Sequence, residues 1–173
     1  MEAFEVVLAE GGRSNSLGRA GEVVDAVVAD HGRLDELWAC IGHEDAYVRM
    51  RAIDSFEKVV SERPEWVDPY VSRIVDELTE SRQPSIQWHV AQLFAQVRLD
   101  EYQRARAIAW LQGQLATTDV DWIVSVSCMR TLLDFRKRGD VAADALRQLF
   151  KVQCEHDSKT VRRKASAFLA DLA

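Results

Sequence analysis

Apolar residues return along this chain at the spacing of a helix face, in blocks that recur about every 38 residues. Setting VRMRAIDSF beneath IQWHVAQLF, VSVSCMRTL and VRRKASAFL aligns Val48, Ile86, Val124 and Val161, at intervals of 38, 38 and 37 residues. Each block then carries a small or β-branched residue four places on (Ala52, Val90, Cys128, Ala165) and a large apolar one eight places on (Phe56, Phe94, Leu132, Leu169). Positions i, i+4 and i+8 lie along one side of an α-helix. A second stretch with the same period precedes each block: RLDELWACI, PYVSRIVDELT, RARAIAWLQGQLA and AADALRQLFKVQ. The pattern predicts four helix pairs, with second helices near 46–61, 84–98, 121–137 and 158–172. Ahead of them, GEVVDAVVADHG predicts a further amphipathic helix that caps the open end. EGGRSNSLGRAG, with four of the eight glycines, predicts a loop. The chain thus divides into an N-terminal helix and glycine-rich loop over 1–18 and a single repeat domain over 19–173.

The punctuation between the blocks agrees with helices. Gly32, Gly42 and Gly139 stand where a helix should end, since a left-handed terminal residue costs least without a Cβ. Asp68 before Pro69 reads as an N-cap with proline in the first turn, Pro84 as another helix opener, and Asp140, Asp157 and Ser158 as caps of later helices. No stretch sustains the alternation of a strand.

Two antiparallel helices per unit, four times over, predict an all-α fold, a right-handed α-α superhelix (α-solenoid) in which each pair buries its apolar faces against its neighbours. HEDAYVRMRAIDSF, and in part HDSKTVRRKASAFL, have an acidic turn followed by Val-Arg and then spaced small and large apolar residues. In this the chain resembles the HEAT-repeat family over roughly Arg33 to Ala173, and it is most similar to small bacterial members. The middle blocks depart from the family pattern, with Gln87 and Ser125 in the arginine's place. The resemblance implies about four HEAT-like pairs; it implies a fold rather than an activity.

The arginines of VRMRAIDSF separate by helical phase. At ~100° per residue, Arg49 falls inside the apolar arc set by Val48, Ala52 and Phe56, where a guanidinium needs an acidic or carbonyl partner. The resemblance implies that Arg49 and Arg162 hold the inter-repeat turns together, paired with acids of neighbouring repeats. Met50 and Arg51 fall outside the arc, on the side that lines the concave surface of a solenoid. The same registers hold Trp88 and His89, Val126 and Ser127, Arg163 and Lys164, with Asp54, Gln92, Arg130 and Ala167 one turn on. Met50, Arg51, Trp88, His89, Val126, Arg130 and Lys164 are therefore the candidate partner-binding groove: an apolar strip flanked by bases.

Composition narrows the partners. At 173 residues, 47% hydrophobic and 29% charged, the chain is an ordinary globular size, and no apolar run approaches the ~20 residues of a membrane span. The acidic start MEAFEVVLAEGG lacks the bases of a secretory signal, so a cytoplasmic location is expected. Residues 1–86 hold 9 Lys and Arg against 18 Asp and Glu, and residues 87–173 hold 13 against 10. This balance argues against a general affinity for nucleic acid.

No catalytic motif appears, and no cofactor is expected. Cys40 with His43, and Cys154 with His156, look like half-sites for a metal. They lie three repeats apart, at ~8 to 10 Å per packed helix, so no single tetrahedral site can form and no metal is expected. Cys40, Cys128 and Cys154 form no CxxC and suit a reducing compartment. Trp38 and Trp110 fall on apolar faces, Trp66 in a turn, and Trp122 at a helix start.

The expected function is thus a non-enzymatic protein-interaction scaffold, with an apolar anchor near Met50, Trp88 and Val126. Arg51, Arg130 and Lys164 would select an acidic partner, and His89 would add a hydrogen bond. The alternative is nucleic-acid binding, since HEAT-like repeats also form a bacterial family of alkylated-DNA glycosylases. Trp88, Arg51, Arg130, Lys164 and Asp54 make a comparable band, although no motif carries catalytic residues over.

Overall fold

The computed structural model describes residues 2–11 and 16–172, which are helical with no strand among them. Their contacts divide the chain into two compact units, residues 1–70 and 71–173.

The first unit is built around α4 (Ala46–Glu62), against which α1 (Phe4–Ala9), α2 (Ala20–Ala29) and α3 (Leu34–Ile41) all pack. Asp45 starts α4 as a true N-cap, its carboxylate accepting from the Tyr47 and Val48 N–H groups. Val48, Ala52 and Phe56 are completely buried, so the i, i+4, i+8 face read from the sequence is the core face. Around Phe56 the rings of Trp38 and Tyr70 close a cluster with centroid separations of 5.1 to 5.7 Å. The Tyr70 hydroxyl donates to Asp35 Oδ1 at 2.5 Å, which satisfies the phenol of the cluster.

The second unit comprises α5 (Val71–Asp76), α6 (Pro84–Gln96), α7 (Glu101–Leu115), α8 (Trp122–Arg138), α9 (Ala143–Gln153) and α10 (Lys159–Asp171). Its centre is α8, which touches α6, α7, α9 and α10. Ile86, Val124 and Val161 are 3% exposed or less, and Val90, Cys128 and Ala165 are fully buried, so the repeat register is also the burial register. α7 opens with a capping box, in which Asp100 accepts from Gln103 N–H and the Gln103 side chain accepts from Asp100 N–H. Ser125 Oγ donates to Gln153 Oε1 at 2.6 Å, and Gln153 Nε2 donates to the Leu115 and Thr117 carbonyls at 2.9 and 2.8 Å. This buried network ties the turn after α7 to α8 and α9 with every Gln153 polar atom engaged.

Several expectations are corrected. PYVSRIVDELT is not one helix: α5 spans six residues between the 3-10 turns Asp68–Tyr70 and Leu78–Glu80. The Thr79 hydroxyl donates to the Val75 carbonyl at 2.8 Å there, a local bond that competes with a regular helix. Of the three glycines read as left-handed helix ends, only Gly139 has that conformation, at φ 87°. Gly42 ends α3 at φ −93°, and Gly32 lies inside a 3-10 turn capped by Asp30. Asp140 pairs with Arg104 at 3.5 Å rather than capping α9, whose N-cap is Ala142; Ser158 precedes α10 without a capping bond from its side chain. The loop read over EGGRSNSLGRAG falls partly on residues 12–15, which lie outside the described residues.

Candidate functional site

The turns before α4 and α10 share one construction. His43 Nδ1 accepts from the Asp45 N–H at 3.0 Å, and Arg49 donates back to the carbonyls of His43 and Glu44 at 2.7 and 2.8 Å. His156 Nδ1 accepts from the Ser158 N–H at 2.9 Å, and Arg162 donates to the carbonyls of His156 and Asp157 at 2.6 and 2.7 Å. With Nδ1 accepting, Nε2 carries the hydrogen, and His156 donates it to the Val120 carbonyl at 2.8 Å. Arg49 and Arg162 thus each bridge two carbonyl oxygens of their own turns. For Arg162 this replaces the expected acid of a neighbouring repeat.

Arg51 is the largest correction to the expected groove. Its side chain is 2% exposed, its Nε donates to the Ser16 carbonyl at 2.9 Å, and its Nη1 donates to the Leu8 and Ala9 carbonyls at 2.6 and 3.2 Å. Leu8 and Ala9 close α1, whose last carbonyls have no partner within the helix and sit at the negative end of its dipole. The face that helical phase leaves open on α4 is therefore covered by the N-terminal segment. His89 is likewise 2% exposed, with Nδ1 2.6 Å from the Ser85 carbonyl oxygen, and Val126 is 6% exposed. None of the three is displayed to solvent as expected. Met50 is half-buried on α4, within the first unit.

In the second unit one angular sector of three helices is accessible. Taking Ile86, Val124 and Val161 as origins, positions at ~180° to 240° are Trp88, Gln92 and Ala95 on α6. On α8 they are Val126, Arg130, Leu133 and the exposed Lys137, which pairs with Asp134 at 2.8 Å, and on α10 Arg163, Ala167 and Ala170. Trp88, Gln92, Ala95 and Leu133 are half-buried, and Arg130, Arg163, Ala167 and Ala170 are exposed; only Val126 in the sector is buried. Lys164 is half-buried at the sector's edge. The Trp88 ring stacks on that of His89, with centroids 3.5 Å apart, so the buried histidine supports the accessible tryptophan. α8 packs against both α6 and α10. Gln92, Ala95, Leu133, Lys137, Arg163, Ala167 and Ala170 are the members that the candidate groove left out, although the repeat register had already aligned Gln92, Arg163 and Ala167 with it.

The cations of the two units differ in kind. In the first, Arg19, Arg33, Arg49, Arg51, Lys58 and Arg63 are all engaged. Arg19, for example, holds Glu2, Glu10 and Glu22 at 2.8 to 3.0 Å, and Arg63 lies over Trp66. In the second, Arg130, Arg163 and Lys164 make no hydrogen bond, ion pair or ring contact with a described residue; nor do Arg82, Arg98 and Lys151. Residues 1–70 carry 7 Lys and Arg against 15 Asp and Glu, whereas residues 71–173 carry 15 against 13.

Chemistry-bearing clusters are sparse. No three His, Cys, Asp or Glu side chains among the described residues converge as metal ligands. A depression of about 290 Å³ in the first unit is lined by Ala3, Glu5, Glu36, Ala39, Cys40 and His43. Burial, helped by Glu36 and Glu5, pushes the Cys40 thiol up to about 11, so at neutral pH it is no nucleophile. Glu36 is committed to Phe4 N–H and Arg33, and His43 Nδ1 to the Asp45 N–H. Trp38 is core as expected, and Trp110, half-buried, donates to the Thr79 carbonyl at 3.0 Å. Trp66 stacks on His31 at 4.5 Å, and Trp122 is 49% exposed at the start of α8. No helix among the described residues is long and apolar enough to cross a membrane. Comparison with protein-family models, with curated proteins and with solved structures finds no match for this chain.

Proposed function

We propose that this chain is a HEAT-like α-solenoid whose function is to bind another protein, without catalysis, on the accessible face of α6, α8 and α10. Three features support the repeat reading: the 38-residue register of Val48, Ile86, Val124 and Val161, their shared burial, and the identical His–Arg construction of the turns at His43 and His156. The observation that carries the function is the shared sector itself. Three neighbouring helices leave the same side uncovered, and that side holds a half-buried tryptophan, a leucine, three alanines and two unpaired arginines. A half-buried tryptophan ringed by such residues is the usual makeup of an interface anchor.

The test compares the protein with a Trp88→Asp variant, both immobilised and exposed to nuclease-treated lysate of the source cells. The reading requires proteins retained by the wild type and lost by the variant, with helical content and melting temperature matched. Identical retained sets would remove the face as the binding site.

A further inference from the structure

Resting on that reading, we infer that the face of α6, α8 and α10 takes a carboxylate-rich amphipathic helix of a partner protein. Arg130 and Arg163 stand exposed on adjacent helices with no acid among the described residues answering them. The chain has acids enough to pair them, and every described arginine and lysine of its first unit is engaged by an acid, a carbonyl or a ring, so these two are left open by placement rather than by shortage. Packed helices lie about 8 to 10 Å apart. Two carboxylates seven residues apart on one helix span about 10.5 Å, so one side of an acidic helix reaches both guanidiniums.

Between and beside the arginines lie Trp88, Ala95, Leu133, Ala167 and Ala170, which match the apolar stripe of such a helix. Small residues at Ala167 and Ala170 let a backbone approach α10 closely. A nucleic acid fits less well. On this face the accessible bases are few and interrupted by neutral Gln92 and the alanines, and the chain as a whole carries −6.

The experiment measures anisotropy of a fluorescein-labelled 18-residue peptide with Leu at helical i, i+3, i+7 spacing and Glu elsewhere. A scrambled peptide of the same composition and an 18-nucleotide oligothymidine serve as controls. The full chain should bind the patterned peptide at least tenfold more tightly than either control. Arg130→Glu/Arg163→Glu should weaken that binding tenfold or more, with Arg130→Ala/Arg163→Ala as the milder pair should the charge reversal unfold the protein. Arg98→Glu/Lys151→Glu, which removes two equally free cations elsewhere in the unit, should leave it unchanged.

Equal loss with both pairs of substitutions, equal binding of the scrambled peptide, tighter binding of the oligonucleotide, or no binding would each overturn the inference. If the peptide fails while Trp88→Asp still loses partners from lysate, the face binds a protein of other chemistry and the proposed function stands. If that difference is also absent, both fall.

Discussion

The guanidinium of Arg51 fills the space that a side chain on Gly11 would need: a Cβ there would come within 1.9 Å of Arg51 Cζ. A flexible arginine could ordinarily swing away. This one is 2% exposed and held by three carbonyls, so moving it breaks those bonds. Arg51→Met should therefore strand the carbonyls of Leu8, Ala9 and Ser16, at about 1–3 kcal/mol for each that stays buried. Gly11→Ala should destabilise by overlap, about 1–3 kcal/mol. In the Arg51→Met background it should cost markedly less. Chemical denaturation of the four proteins of this cycle measures the coupling, and strict additivity would refute the contact.

Gln153 offers a second test, because its environment distinguishes an amide from a carboxylate. Gln153→Glu places an oxygen where Nε2 donates to Leu115 and Thr117, so repulsion between acceptors adds to the lost bonds. Gln153→Leu only removes them. Both should lower the denaturation midpoint, and at neutral pH the Glu variant should be the less stable. The reverse order would contradict the network.

The two histidine turns should not be equivalent. His156 is 5% exposed and uses both ring nitrogens, one of them on the Val120 carbonyl, whereas His43 is half-buried and accepts the Asp45 N–H through Nδ1. His156→Ala should cost about 1–3 kcal/mol and His43→Ala less, read by thermal unfolding.

Thiol chemistry gives a pH signature. Burial raises Cys128, and raises Cys40 to about 11, while Cys154 is only partly buried. A thiol-specific reagent at pH 8 should label Cys154 in the native protein, and Cys40 and Cys128 only after denaturation. Both buried thiols hold their protons more tightly folded than unfolded. Their contribution to stability is complete below the ordinary thiol value of 9 and is lost as pH rises from there through about 11 for Cys40. Replacing Cys40 with Ala should flatten that alkaline decline.

Features that depend on local periodicity were legible in the amino-acid order alone. The second helices of the pairs begin within about a residue of where the apolar period puts them. Val48, Ile86, Val124 and Val161 are buried because an i, i+4, i+8 strip has one side to offer a core. Trp88, Arg130 and Lys164 also retain access to solvent, for the same reason. The breaks in α5 and the ordinary φ of Gly42 were beyond that pattern, since they follow from single hydrogen bonds and turn geometry.

Which of the open helical sides stay open depends on long-range packing. Helical phase puts both Arg51, at ~300°, and Arg130, at ~240°, outside the apolar arc, yet Arg51 is sealed under Leu8, Ala9 and Ser16, some 35 to 43 residues earlier in the chain, while Arg130 is exposed. A periodic pattern records where a side chain points on its own helix. Whether it meets solvent or another segment depends on long-range packing, and for a buried cation also on carbonyls that every residue carries and no sequence pattern marks.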